Sequence, residues 1–278
     1  MSRAEERRLI AAARSGDARA LRRVLETVSG PAYRFGRGFC RDEHAAQEIA
    51  QEVLTSLVRS LRGFRADSSL STWAYVVARN ACGRRRRREA TRSRNVQSLD
   101  ERTETGRPGV EVPDPAGDPE HQLERRQTRE LLARALATLP AAQREVVILR
   151  DVEGLPAAEV AAVIGIGERA VKSRLHRGRT ALRDLLAPLA ARFGRSGARC
   201  PDVTRLVSRH REGDLDERTC ARLEAHVAGC PGCSSACDSL LAALKTCRSC
   251  REKALPSALR EAVRDAARKH IAAAAPRD

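Results

Sequence analysis

Aromatic residues are scarce in this chain. Its 278 residues hold one tryptophan, two tyrosines and four phenylalanines, with a single methionine. Any core must therefore be built mostly from Ala, Leu and Val, with the few rings as local anchors. Long apolar runs are missing too. No stretch of 18 or more apolar residues occurs, so no segment reads as a membrane span and no membrane is expected as a partner. The opening stretch MSRAEERRLIAAARSGDARA is charged and helical in pattern and lacks the apolar run of a secretory leader, which places the expected protein in the cytoplasm. Acidic residues are outnumbered, 36 against 52 Lys and Arg, giving a net charge of +16 and a pI near 10.5. Such a surplus favours a polyanionic partner, because each phosphate contact releases condensed counterions. No nucleophile–base pair or open metal site can be placed, and His44, His121, His176 and His270 stand isolated, so the chain does not read as an enzyme.

Cysteine, by contrast, is plentiful at nine residues. In a reducing compartment these are not expected to form structural disulfides. Seven of them fall in Cys200–Cys250, which points to metal or redox chemistry in one small module. The other two, Cys40 and Cys82, read most simply as core residues.

The most informative stretch is LPAAQREVVILRDVEGLPAAEVAAVIGIGERAVKSRLHRGRTALRDLL, from Leu139 to Leu186. Two apolar-periodic runs, Pro156–Ile164 and Gly167–Leu186, are split by Gly165-Ile166, where glycine can supply the left-handed residue that stops a helix. Two helices across a short glycine-containing turn make the DNA-binding helix-turn-helix pattern. In the second run, Val171, Leu175 and Leu182 lie within about 40° of one another at roughly 100° per residue. Arg169, Lys172, Ser173, His176, Arg177 and Arg183 point away from that stripe. One face can pack on a core while the other enters a major groove.

Upstream, residues 1–29 read as two amphipathic helices broken at Ser15-Gly16-Asp17, and a further helix covers about Asp42 to Leu61. That helix carries the apolar stripe Ala46, Ile49, Ala50, Val53, Leu57 and Leu61, opposite an acidic face with Glu43, Glu48, Gln51 and Glu52. An acidic face in a basic chain suggests a basic protein surface as partner. Next, Ser71 or Thr72 can cap a helix that passes Trp73, Asn80 and Ala81 and runs into Arg84, Arg85, Arg86, Arg87 and Arg88. Aromatics beside an arginine stripe are the ingredients of single-strand binding, by stacking plus backbone neutralisation, although for Trp73 taken alone core packing is the readier account. Residues 96–122 bring four prolines, three glycines and seven acidic residues against two arginines, which reads as a flexible acidic linker. From Leu123 to Thr138 another helix leads into the helix-turn-helix, and Leu255–Ala275 forms an Ala- and Arg-rich helix near the end.

In the cysteine-rich module, HVAGCPGC sets His226, Cys230 and Cys233 in H-x3-C-x2-C spacing. A C-x2-C pair lets two thiolates reach one ion, and a histidine one helical turn earlier shares that face. Cys200 or His210 can supply a fourth ligand, and such a closed site suits zinc in a structural role. Cys220, Cys237, Cys247 and Cys250 remain, and thiols of this kind take soft ions such as copper(I), cadmium and zinc, or oxidise to disulfides.

In order, these pieces resemble a bacterial extracytoplasmic-function (ECF, group IV) sigma factor of the sigma-70 family, over residues 5–95 and 120–188. AAQEIAQEVL (Ala45–Leu54) is similar to region 2.2, STWAYVVARNACGRRRRR to regions 2.3 and 2.4, and the Leu139–Leu186 stretch to region 4. Three departures stand out: Glu48 for the usual Asp, Leu54 for an aromatic, and Gly167 for the common Ser at the recognition-helix cap. The resemblance implies an all-α fold of two helical sigma domains, 1–95 and 123–190, joined by the linker 96–122. It implies core RNA polymerase (β′ and β subunits) and promoter DNA at −35 and −10 as partners. Glu48, Gln51 and Glu52 would dock on β′. Trp73, Asn80 and Arg84–Arg88 would open and hold the −10 element, and Arg169, Lys172, Ser173, His176 and Arg177 would read the −35 element.

Residues 198–252 resemble a zinc-binding anti-sigma fold, which favours Cys200 over His210 as the fourth ligand, and 253–278 would be a helical tail. A sigma factor with a fused cysteine-rich tail resembles the CorE-like metal-responsive group. Copper, cadmium or zinc at Cys220, Cys237, Cys247 and Cys250 would then switch promoter binding. The competing function class is a stand-alone helix-turn-helix regulator, which has no need of the arginine-rich helix or the acidic docking face.

Overall fold

A computed structural model describes residues 1–40, 42–95, 130–186, 200–249 and 255–274, and among them every regular element is helical. The linker 96–122, the segment 123–129 and Cys250 lie outside the described residues. Helix α1 (Arg3–Arg14) starts at a capping box, with the Ser2 hydroxyl accepting from the Glu5 N–H and the Glu5 carboxylate accepting from the Ser2 N–H. Ser15-Gly16-Asp17 breaks the chain as expected: Gly16 takes φ +94°, and the Asp17 carboxylate accepts from the N–H groups of Arg19 and Ala20 to open α2 (Ala18–Phe39).

Helix α2 runs ten residues beyond the boundary expected at 29, straight through Pro31. Proline removes one helical N–H, a cost that packing outweighs here: Gly30, Pro31, Ala32, Tyr33, Phe35 and Gly36 are all buried. Thr27 and Ser29 bond their hydroxyls back onto the Arg23 and Glu26 carbonyls on the approach to it. Asp42 caps α3 (Glu43–Ser60), and a 3-10 turn (Leu61–Gly63) follows. The start of α4 (Leu70–Asn95) differs from expectation by two residues. Ser69, not Ser71 or Thr72, is the cap: its hydroxyl accepts from the Thr72 N–H at 2.9 Å, and its carbonyl from Trp73.

In the second half, a helical stretch at 130–138 (α5) precedes α6 (Ala141–Val147), which continues as a π-helical turn (Ile148–Val152). Then come α7 (Ala157–Ile164) and α8 (Glu168–Leu186), separated by Gly165 in the left-handed region at φ +76°. The C-terminal module consists of α9 (Val203–Arg211), α10 (Glu217–Gly229) and α11 (Pro231–Ser249), and α12 (Ser257–Ala274) follows.

Among the described residues two apolar cores result. The larger one joins α1–α8 and also takes in Cys247 of α11 and Leu259, Val263 and Ala267 of α12, which packs on α2 and α3. The smaller one lies within α9–α11, around Val203, Val207, Leu223, Cys233, Leu240 and Leu244. Gly178 lets α8 lie close to α6, since a Cβ there would come within 2.7 Å of Val147. The two halves of the larger core are also joined by polar contacts. Buried Glu153, just past the π turn, accepts Arg34 through Nε at 2.9 Å and Nη2 at 2.8 Å, and the Tyr75 hydroxyl at 2.6 Å. Arg79 pairs with Glu145, and Thr72 donates to Glu159 at 2.8 Å. Burial, then the Glu153 carboxylate, hold the Tyr75 phenol well above its ordinary range, so it stays a donor.

Candidate nucleic-acid interface and metal centre

Helix α8 forms because its apolar positions recur on one side, and the packing agrees: Val171, Leu175 and Leu182 are fully buried. Gly167 caps it with backbone alone, its carbonyl accepting from Ala170 and Val171. Of the residues assigned to base reading, Arg169, Ser173 and Arg177 are exposed. Lys172 and His176 are not free. Lys172 Nζ lies 2.5 Å from Asp214 and 3.3 Å from Glu168, and the hydrogen bond to Asp214 holds its ammonium above the ordinary lysine range. His176 Nε2 faces Asp202 at 3.8 Å. Burial first, with nearby arginines Arg205, Arg177 and Arg179, lowers the imidazole against the pull of Asp202, so this contact is packing of a neutral ring more than an ion pair. Arg183, about two turns on, donates to Thr204. Asp202, Thr204 and Asp214 all belong to the cysteine-rich module, so that module sits on part of the basic face.

The strongest link between module and helix was not legible in the pattern. Arg179 is completely buried and uses all five of its donors. Nε and Nη2 hold Asp151 at 2.9 and 2.7 Å, Nη1 reaches the Ser208 hydroxyl at 2.8 Å and its carbonyl, and Nη2 also reaches Glu212 at 2.8 Å. Arg150 grips the same Glu212 at 2.9 Å. Burial opposes the Arg179 charge, but Asp151 and Glu212 outweigh it and raise its affinity for the proton. A faint signal existed: Arg179 stands about 80° from Val171 and 40° from Leu175 on the wheel, at the flank of the apolar stripe. Its partner Glu212 lies outside the motif and could not be read from it.

In the first half, Trp73 is half-buried and meets Phe64 edge-on at 5.8 Å, while Asn80 is exposed. Arg84, Arg86, Arg87 and Arg88 are exposed and Arg85 half-exposed. Glu48, Gln51 and Glu52 are exposed on α3, but the acidic face and the arginine stripe meet each other: Arg84 pairs with Glu52 and Arg85 with Glu48. Solvent-exposed pairs of this kind contribute about 0–1 kcal/mol, so either surface can exchange its partner.

The candidate metal centre is built by α10, the turn into α11 and the segment before α9. Cys200, His226, Cys230 and Cys233 place their ligand atoms within 4.8 Å of one another. Cys200 Sγ lies 3.7 Å from Cys230 Sγ, and His226 Nε2 lies 3.2 Å from Cys233 Sγ. A tetrahedron with thiolates about 2.3 Å from zinc has sulfur–sulfur edges near 3.8 Å, so this donor set fits that ion. The Cys233 backbone N–H first, then the neighbouring thiols of Cys233 and Cys200, lower the Cys230 thiol toward the ligating thiolate. His210, the other candidate ligand, faces Cys220 instead, at 3.3 Å. The remaining thiols do not converge among the described residues: Cys237 packs at the small core, and Cys247 is buried in the large one.

Three families match consecutive parts of the chain. Residues 22–92 match "Sigma-70 region 2", residues 129–182 match "Sigma-70, region 4", and residues 200–234 match "Putative zinc-finger". The chain is similar to the ECF RNA polymerase sigma factor SigG of Mycobacterium tuberculosis, 34% identical over 180 residues, covering 60% of this chain and 48% of that protein. It thus spans about half the length of SigG. SigM of the same organism is 30% identical over 182 residues, covering 65% of this chain and 84% of SigM. The sigma-E factor of Escherichia coli is 29% identical over 148 residues, covering 52% of this chain and 75% of that one. Among the described residues no single helix is long and apolar enough to cross a membrane. With regions 2 and 4 in order and a relative of this identity covered over most of its length, the chain belongs to the ECF RNA polymerase sigma factor family.

Proposed function

We propose that the chain directs core RNA polymerase to promoters, and that its own cysteine-rich module governs when it does so. In this reading α8 reads the −35 element through Arg169, Lys172, Ser173, His176 and Arg177. Helix α4 opens and holds the −10 element with Trp73, Asn80 and Arg84–Arg88, where extrusion of a base costs a few kcal/mol that stacking and arginine contacts offset. Glu48, Gln51 and Glu52 dock on the β′ subunit, with further contacts to β. A zinc ion held by Cys200, His226, Cys230 and Cys233 supplies a cross-link that keeps α9–α11 folded.

The observation that carries the regulatory part is the occupation of α8. Asp214 on Lys172 sets a carboxylate where DNA phosphates would compete, and Glu212 on buried Arg179 and on Arg150 anchors the module in that position. The docked module and the promoter therefore exclude each other, and any ligand that favours undocking favours transcription by its differential affinity for the two states. Copper, cadmium or zinc is the proposed signal, acting at Cys220, Cys237, Cys247 and Cys250. Because Cys247 is buried in the large core, its capture by a soft metal draws α11 away from the sigma domains.

Run-off transcription with core polymerase tests both parts. Glu212→Ala removes a charged hydrogen-bond partner worth about 1.5–3 kcal/mol to the docked form, which converts to roughly a 10- to 100-fold shift toward the open form. Arg179 keeps Asp151 in that variant, so the fold survives. Expected are higher transcription from Glu212→Ala and a metal response lost in Cys247→Ala with Cys250→Ala. Failure to form a holoenzyme would overturn the sigma reading; unchanged output from Glu212→Ala would overturn the regulatory one.

A further inference from the structure

Outside the metal centre, the described residues hold one other close thiol pair, and no function described so far uses it. Cys40 follows the last turn of α2 and Cys82 lies within α4, 42 residues later in sequence, yet their sulfurs stand 3.6 Å apart. The two thiols are free. Cys82 is 1% exposed, whereas Cys40 is half-exposed and solvent can reach it. Charges of both signs act on Cys40, Arg85 against Glu89 and Asp42.

We propose that Cys40 and Cys82 form a peroxide-reactive dithiol in the first sigma domain, separate from the cysteine-rich module. Cys40 is the attacking sulfur. The hydrogen bond with Cys82 first, and then the charge of Arg85, lower its thiol against the opposing effects of burial and of the Glu89 and Asp42 carboxylates. The same hydrogen bond and burial hold Cys82 protonated. The Cys40 thiolate attacks one oxygen of hydrogen peroxide, forming a sulfenic acid and releasing hydroxide, which takes up a proton to become water. Cys82 sulfur then attacks the sulfenic sulfur, the S–O bond breaks, and the second oxygen leaves as water with the Cys82 proton. In sum, two thiols and one peroxide give one disulfide and two waters. The new bond ties the end of α2 to the turn of α4 that opens the arginine stripe.

Trypsin places the two cysteines in the short peptides GFCR and NACGR, so the full-length zinc-loaded protein can be used directly. After brief treatment with hydrogen peroxide and alkylation, the non-reduced digest is expected to contain GFCR joined to NACGR, and the reduced digest to lose it. In Cys82→Ser, dimedone should label Cys40, at least roughly tenfold faster than it labels Cys82 in Cys40→Ser. The wild-type digest decides the matter even if a serine variant folds poorly. Oxidation confined to the Cys200–Cys250 region, with GFCR and NACGR recovered as separate alkylated peptides, would overturn the proposal. Equal labelling of Cys82 and Cys40 would overturn the assigned direction of attack.

Discussion

At the scale of single residues, close contacts and charge decide more than hydrophobicity does. Gly178 is the clearest case. Alanine is the better helix former by about 1 kcal/mol in an exposed position, which would favour Gly178→Ala. Here the added methyl meets Val147 Cγ2 at 2.7 Å, and Val147 is itself fully buried and β-branched, which restricts its χ1 in a helix. Overpacking of this kind costs about 1–3 kcal/mol, so the net effect of Gly178→Ala is expected to be a loss of about 1 kcal/mol. Thermal unfolding of the two proteins side by side checks it, and a melting temperature equal to or above the parent's would mean that α6 and α8 are less tightly packed than described. Arg179 teaches the complementary lesson. A buried guanidinium survives only because every donor has an acceptor, and three of those acceptors, the Ser208 hydroxyl and carbonyl and Glu212, come from another module.

At the scale of elements, the period of apolar residues made α1, α3, α7 and α8 legible in the sequence, because each buries one stripe against the same core. The Cys/His cluster was legible too: H-x3-C-x2-C is a spacing rule, and the structure gathers His226, Cys230 and Cys233 accordingly. What the sequence could not disclose were boundaries and pairings set by tertiary packing. The apolar period placed the end of α2 near residue 29, but burial of the turns that follow, Pro31 included, carries the helix to Phe39. Nor could composition show that the acidic face of α3 and the arginines of α4 lie side by side, or that Asp214 would rest on Lys172. Within α8 the exposed and covered residues should behave differently. Arg169→Ala removes a free cation and is expected to weaken binding to a −35 duplex by about 1–3 kcal/mol if it contacts a base edge, with holoenzyme assembly through α3 unchanged. Binding measured by fluorescence anisotropy beside a polymerase pull-down separates the two, and joint loss would show that α8 is not a dedicated reader.

At the scale of the molecule, the described arrangement is too closed for its proposed task. Sites named −10 and −35 are about 25 base pairs apart, roughly 85 Å at about 3.4 Å per base pair. Helices α4 and α7 touch, however, and Arg34, Tyr75 and Arg79 of the first domain are bonded to Glu153 and Glu145 of the second. Extended chain covers about 3.3 Å per residue, so residues 96–129 are long enough for the two domains to part. Opening must break the Glu153 cluster, and that makes Glu153 the place to test it. Its carboxylate is fully buried, and removing one partner of a buried pair costs about 3–5 kcal/mol because the other charge is left uncompensated. In the open form Arg34 and Tyr75 regain water, so the cost of Glu153→Ala falls on the closed form alone. The variant is expected to show a larger radius of gyration by small-angle scattering and to need less −10/−35 promoter DNA for half-saturation. A radius unchanged from the parent, with α-helical content intact, would mean that apolar packing between α2, α4 and the π turn holds the domains together without this cluster.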